Sequence, residues 1–330
     1  AKLFAVLISV TFGLIYVSVQ ANTIALSMEK AFGADTYMMG GILAVLSGAV
    51  IFGGIHRIAG FTTLLVPLMA GIYLFIAIAV IILHIEEVPG MFALILHDAF
   101  WPQAAVGGGI GTVILTGVRR GLFSNEAGEG SIPNAAATAH VTHPVKQGLV
   151  QAFGVYVDTW FVCSATAFIV LLTGQYTIGG ETTGIALAQD SLASVFGSGA
   201  SSLLAILIFL FAFSSVVGNY YYGEINIHFF GQNTHLALIL YRIAVIGMVF
   251  FGCIAALPLV WNLADLFMAM ICLTNLYGLA PRARIALSDY LKQKSAGKNP
   301  VFDPAVMPSA QGIQAWDPDQ LHAQKYEQKS

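Results

Sequence analysis

Charge is what this sequence has least of. Of its 330 residues only 9% are Asp, Glu, Lys or Arg, whereas 57% are hydrophobic and the mean hydropathy is +0.79. A water-soluble domain carries about 25% charged residues, so the chain reads as an integral membrane protein. The net charge of -3 is too small to recruit nucleic acid, and no such partner is expected. Cysteine is scarce as well. Cys163, Cys253 and Cys272 all fall inside apolar runs, which argues against a disulfide framework and a cysteine-based zinc site. No nucleophile–base pair or metal cluster stands out, so neither an enzyme nor a cofactor is expected. An initiator methionine is missing too. Ala1-Lys2-Leu3 leads straight into an apolar run too long, and too polar at its far end, for a signal peptide. The chain is therefore read as starting inside a larger protein.

What is present is a series of apolar runs of about 20 residues, the length a membrane-spanning helix needs. They cover 3–28, 37–53, 62–83, 149–173, 201–222, 236–257 and 259–280, with a mixed stretch at 84–102 read as a re-entrant or surface helix around 91–100. The glycine-rich piece 104–118 suits close helix packing; its Gly107-Gly108-Gly109-Ile110-Gly111 follows no strand and is no nucleotide loop. Residues 1–288 form the expected membrane core. Residues 289–330, polar and rich in Pro, Gln and Asp, form the expected tail. Arg57, Lys146, Arg282, Arg284, Lys292 and Lys294 fall on one side of alternating spans, which makes that side, and the C-terminus, cytoplasmic.

The stretch that breaks this regularity is 116–141, the remaining span. Its middle reads Phe123-Ser124-Asn125-Glu126-Ala127-Gly128-Glu129-Gly130-Ser131-Ile132-Pro133, with two carboxylates and two glycines among apolar flanks. A helix broken at membrane depth survives only where protein or a wet cavity satisfies its backbone, and such a break points to a transporter's substrate site. Carbonyls around Phe123 and Ser124, ending the first half, would face an ammonium or sodium ion. N–H groups near Ser131, opening the second half, would favour negative charge. A structural kink between packed helices is the alternative. Glu126, inside the break, is a candidate for coupling or gating.

Other polar residues sit in apolar spans. Phe211, Ser214 and Ser215 are spaced so that a carbonyl and two hydroxyls converge, a set suited to a hard monovalent cation, although serines also bond back to their own helix. Gln20 and Asn22 are two apart and cannot share a helical face. One is expected to pack against a neighbour, and Gln20, one turn beyond Tyr16, is the preferred ligand. Asp158, Arg242, Asp265 and Glu224 are expected in interhelical pairs, Glu224 with Arg242 in particular. Arg119 and Arg120, at the outer end of the broken helix, are read as gate or headgroup contacts. His140 and His143 are read as caps of the second half-helix.

Arg120-Gly121-Leu122-Phe123-Ser124-Asn125-Glu126-Ala127-Gly128, followed by Gly130-Ser131, closely resembles the signature of the alanine/glycine:cation symporter family (sodium:alanine symporters). Val19-Gln20-Ala21-Asn22, Gly53-Gly54-Ile55-His56-Arg57, His143-Pro144-Val145-Lys146-Gln147-Gly148, Val157-Asp158-Thr159, Phe211-Ala212-Phe213-Ser214-Ser215 and Tyr221-Tyr222-Gly223-Glu224 match in order. The resemblance implies an all-α fold of two inverted five-helix repeats. This chain would supply about eight spans of it, core helices three to ten, with one and two lying upstream. It also implies symport of alanine or glycine with sodium (or protons) across the cell membrane, with sodium as coupling ion and the lipid bilayer as surroundings. Gln20, Asn22, Phe123, Ser124 and Asn125 would bind the amino acid. Phe211, Ser214 and Ser215 would bind sodium. Without core helices one and two this chain alone should not transport, so a truncated, non-transporting remnant or a binding-only membrane protein is the alternative. The polar Gly278-Leu279-Ala280-Pro281-Arg282 is expected to shorten the last span.

Overall fold

The computed structural model of the protein describes residues 1–53, 56–100, 110–177, 180, 182–231 and 234–307, without the side chains of 56–65 and 110–113. The Gly54-Ile55 part of one family motif, the start of the glycine-rich piece and the tail beyond 307 lie outside them. The described residues are helical, with no strand among them. In chain order the helices are α1 Lys2–Phe32, α2 Thr36–Gly53, α3 His56–Leu83, α4 Val88–Phe100, α5 Ile110–Ser124, α6 Ile132–Ala136, α7 Pro144–Thr173, α8 Gly184–Phe196, α9 Ser198–His228, α10 His235–Ile254 and α11 Leu257–Ser295. Seven of them are long and apolar enough to cross a membrane: α1, α2, α3, α7, α9, α10 and α11. With the broken segment between α5 and α6, these match the spans expected from the sequence.

Helix ends follow local chemistry. Glycines in left-handed geometry stop α1 (Gly33, φ 66°) and α7 (Gly174, φ 63°). Asp35 opens α2 by accepting the Met38 N–H at 2.9 Å. Inside α1 and α7 the helix widens into single π turns, Thr11–Tyr16 and Asp158–Cys163.

α1 is the central post. In its most apolar window 67% of residues are buried inside the protein, against 17–33% for the other six spans. One side, Val17, Ala21, Ile24 and Ala25, packs with Leu43 of α2, Val216 and Tyr220 of α9, and Val245 and Val249 of α10. The other, Ile8, Phe12, Ile15 and Val19, packs with Val260, Met268 and Ile271 of α11. A third cluster joins α3, α4, α7, α8 and α9 through Tyr73, Val80, Met91, Ile169, Leu192 and Leu204. Large apolar side chains such as Val45, Phe75 and Leu236 point outward, as a surface in contact with lipid requires.

α10 approaches α1 so closely that a Cβ at Gly252 would overlap the backbone of Ser18. Asn22 locks this crossing. It is fully buried, and its Nδ2 donates to the carbonyls of Gly252 (2.9 Å) and Ala255 (2.8 Å), at the C-terminal end of α10. The Nδ2 of Asn22 thus serves as interhelical glue, while its Oδ1 is buried without a hydrogen-bond partner.

The last span is not shortened at Pro281. α11 runs 39 residues, about 58 Å at 1.5 Å per residue, well beyond the hydrocarbon thickness. The boundary expected at residue 288 falls within it. The segment after it folds back onto the loop before α7. There the Phe302 N–H donates to the Thr142 carbonyl (2.9 Å), the Thr142 hydroxyl to the Pro300 carbonyl (3.0 Å), and Lys146 Nζ to Asn299 Oδ1 (2.6 Å). His143 is the buried centre of this joint. Its Nδ1 accepts the Val145 N–H (3.2 Å), capping α7 rather than the second half-helix, so Nε2 carries the proton and faces Asp289 Oδ2 at 3.3 Å. No metal-binding cluster occurs among the described residues.

Removing the Asn22 amide leaves two α10 carbonyls without donors. Asn22→Ala is expected to lower stability by about 1–3 kcal/mol, read as a fall in the thermal unfolding midpoint in detergent. Burial holds the His143 imidazole below the usual histidine range, with Lys146 adding to this and Asp289 opposing it. Its neutral form is therefore the folded form, and the stability it contributes is present above about pH 6.5 and lost as pH falls through the lowered value. Hydrogen exchange at the Phe302 amide, corrected for intrinsic rates, should speed up between about pH 7 and pH 5.

Candidate functional site

α5 stops at Ser124 in a Schellman turn. The Ala127 N–H donates to the Leu122 carbonyl (3.0 Å) and the Glu126 N–H to the Phe123 carbonyl (3.3 Å). The position that normally takes glycine in this turn is Glu126, at φ 48°, the one non-glycine in left-handed geometry among the described residues. Its side chain reaches forward to accept the Ser131 hydroxyl. The Phe123 carbonyl, expected to be free, is therefore occupied by the turn itself.

The rest of the break is held by neighbours. Asn275 of α11 donates to the Gly128 carbonyl (2.8 Å), and Asn134 donates to the carbonyls of Gly130 (3.1 Å) and Ser131 (3.0 Å). Asn226 of α9 in turn donates to Asn134 Oδ1 at 3.0 Å. Gly130, at φ 75°, lies so close to Asn275 and Phe4 that a Cβ would sit 2.5 Å from Asn275 Oδ1 and 2.8 Å from the Phe4 ring. The helix that restarts, α6, has only five residues. It is much shorter than the expected second half, and its dipole is correspondingly small.

Both π turns face the end of α5. In α7, Asp158 Oδ2 accepts the Ser124 hydroxyl at 2.7 Å, and Thr159 Oγ1 lies 3.3 Å from Asn125 Nδ2. Asp158 was expected to pair with another helix, and its partner is a serine hydroxyl. In α1, the Tyr16 ring lies 4.8 Å from those of Phe12 and Phe123, and its hydroxyl donates to Glu129 at 3.0 Å. The aromatic row continues from Phe123 to Trp261 (5.0 Å), and the Arg120 guanidinium covers Trp261 at 4.2 Å. Arg120 also pairs with Asp265, with Arg119 at 3.8 Å from the same carboxylate. The expected gate arginines are thus tied to the expected intramembrane aspartate.

Trp261, the end of this row, also lines a cavity of about 570 Å³, together with Thr23, Leu26 and Lys30 of α1 and Thr183 and Ile185 near the start of α8. Gln20 is half-buried and shares a face of α1 with Tyr16 of the row and Thr23 of the cavity lining, at i+4 and i−3. In α9 the Phe211 carbonyl accepts both the Ser214 hydroxyl (2.7 Å) and the Ser215 hydroxyl (3.2 Å), so both serines bond back to their own helix, the alternative that the sequence offered to a cation site. Glu224 and Arg242 pair at 2.6 Å, as expected.

Trp261, Tyr16 and Glu129 were given no functional role from the sequence. Their signals were there. Trp261 and Asp265 are four apart on one helix, and Glu129 stands between two glycines of the break.

The profile of the sodium:alanine symporter family matches residues 1–304. Among relatives, the chain is 49% identical over 317 residues to the probable sodium/glutamine symporter GlnT of Bacillus subtilis, covering 95% of this chain and 66% of that protein. It is 46% identical to the amino-acid carrier protein AlsT of the same organism (97% and 69%) and 37% identical to the sodium/alanine symporter AgcS of Methanococcus maripaludis (82% and 60%). The chain thus spans about two thirds of the length of these relatives.

Glu126→Gly and Glu126→Ala both remove the contact to Ser131, but only glycine relaxes the left-handed backbone. E126G is therefore expected to be about 1 kcal/mol more stable than E126A, measured by thermal unfolding in detergent. Equal stabilities would show that this φ stores no strain.

Proposed function

The chain belongs to the sodium:alanine symporter family, and we propose that it serves the sodium-coupled (or proton-coupled) import of alanine or glycine across the cell membrane, with its C-terminus in the cytoplasm. The observation that carries this reading is the break at 125–131, whose flanking residues meet two π turns and an aromatic row that ends at Trp261, a residue lining a cavity. π turns inside α-helices are frequent at functional sites.

In this reading the amino acid lies at the end of α5. Its ammonium meets the Ser124 hydroxyl, the Asn125 amide oxygen and the negative end of α5, with the Asp158 carboxylate close behind. Gln20 offers a neutral amide from α1. Phe123, wedged between Tyr16 and Trp261, walls off the space for a long side chain. Sodium takes the carbonyl of Phe211 and the hydroxyls of Ser214 and Ser215. Glu126 acts as the hinge of the break, and Arg120 with Asp265 closes the outer end over Trp261.

The cytoplasmic C-terminus is supported by the joint between 142–146 and 289–302, which brings the basic residues Lys146, Lys292 and Lys294 to one end. A second reading takes glutamine as the substrate, favoured by the 49% identical relative described as a sodium/glutamine symporter.

Uptake of radiolabelled alanine, glycine and glutamine into vesicles containing the full-length protein, core helices one and two included, decides between them. Saturable alanine uptake, driven by a sodium or proton gradient and competed by glycine, is expected. Glutamine-preferring uptake would establish the second reading, and no saturable uptake under either gradient would overturn both. Replacing Ser214 and Ser215 by alanine should raise the sodium concentration for half-maximal uptake about tenfold, equivalent to about 1.4 kcal/mol.

A further inference from the structure

Glu129 lies within the break and has no part in the site described above. Its side chain is fully buried, at 0% exposure. Oε1 accepts the Tyr16 hydroxyl at 3.0 Å, while Oε2 is buried without a hydrogen-bond partner. The ion pairs among the described residues include neither Glu129 nor Glu126. The ionisable groups facing it carry no positive charge: Tyr16 from α1, Glu126 from the break itself and Cys272 from α11. Its chain neighbour Gly130 is pressed against Asn275 of α11 and Phe4 of α1, and Gly128 rests in ordinary contact with Cys272 and Leu276 of α11, which holds the backbone on either side of the carboxyl.

An ionised carboxylate has two acceptor oxygens and seeks several donors. Buried with one donor, no cation and a second carboxylate nearby, it would be strongly disfavoured. A protonated carboxyl has smaller needs. Its carbonyl oxygen accepts one hydrogen bond, and its other oxygen carries the proton. The Tyr16 donor marks Oε1 as the carbonyl, which leaves the orphaned Oε2 as the O–H.

We infer that Glu129 is a proton-binding site of the transporter, occupied while it packs against Tyr16 and linked to amino-acid binding at Phe123–Asn125. This rests on the proposed amino-acid site. The link is physical: the Tyr16 side chain touches both the Phe123 ring (4.8 Å) and the Glu129 carboxyl (3.0 Å), so a ligand that settles Phe123 also settles the donor to Glu129. Proton and amino acid then favour each other's binding, reciprocally.

The test has two arms, both on the protein in lipid nanodiscs. Infrared spectra at neutral pH are expected to show the carbonyl stretch of a protonated carboxyl that disappears in Glu129→Gln. In Tyr16→Phe the band should persist at higher frequency, because its carbonyl has lost a donor. A wild-type spectrum without the band, as an ionised carboxylate paired with a cation would give, overturns the inference, as does a band unchanged in E129Q. The second arm measures alanine affinity at constant sodium between about pH 5 and pH 9. Wild-type affinity should fall as pH rises, by up to about tenfold per unit above the titration of the carboxyl, and E129Q should show no such dependence. Alanine binding that is independent of pH overturns the linkage while leaving the amino-acid site standing. Failure to bind alanine, glycine or glutamine at any pH overturns the site, and the infrared arm still decides whether Glu129 holds a proton.

Discussion

The backbone between Ser124 and Ile132 has left the helix inside an apolar protein, and each polar group so released needs a partner other than water. That requirement shapes much of the structure around it. Asn275 on α11 and Asn134 on α6 donate to carbonyls of the break, and Asn226 on α9 donates to Asn134 as well as to the Tyr222 carbonyl of its own helix. The Schellman turn ties up the carbonyls of Leu122 and Phe123. What remains for a ligand is mainly side-chain chemistry at the mouth of α5, where Ser124 and Asn125 are matched with Asp158 and Thr159. A site built this way can change partners without exposing bare backbone.

Charges follow a similar logic. Within the spans, Arg242 pairs with Glu224, and Arg120 and Arg119 with Asp265. These pairs are partly exposed and sit toward helix ends, where long side chains reach polar surroundings. The carboxylates of the break take part in no ion pair among the described residues. Glu126 finds a hydroxyl and Glu129 a phenol. The same short segment therefore holds both the greatest backbone irregularity and the least compensated acids, as expected where a protein stores the capacity to switch.

Much of this was legible in the sequence because hydrophobic length and helix breakers act locally. The spans at 37–53 and 236–257 lie within a few residues of α2 and α10, and the Glu224–Arg242 pair came directly from spacing. Long-range packing was not legible. Nothing local tells Asn22 that Gly252 will pass against Ser18, so the partner of its Nδ2 depends on a contact 230 residues away. The polar run after Leu279 looked like a helix end because proline usually is one. Docking of the following segment on Thr142 and His143 gives that last helix a reason to continue. The π turns were invisible for the same reason, since each depends on what its widened face meets.

Those turns explain how one post can serve two neighbours. An extra residue in a turn advances the helix by about 100° relative to the regular path, a consequence of 3.6 residues per turn. In α1 this occurs between Val10 and Val17, between a stretch that packs on α9 and α11 and a stretch that packs on α9 and α10. Tyr16 stands at the end of that turn. It can rest on Phe12, reach Phe123 across the break and still direct its hydroxyl to Glu129. The π turn of α7 performs the corresponding task from the opposite side, bringing Asp158 and Thr159 to Ser124 and Asn125. Straightening either turn would rotate its polar residues off the mouth of α5 and, by the same 100°, turn one half of the helix away from the neighbours it packs on. Each π turn therefore ties the apolar packing of its helix to the polar contacts at the break.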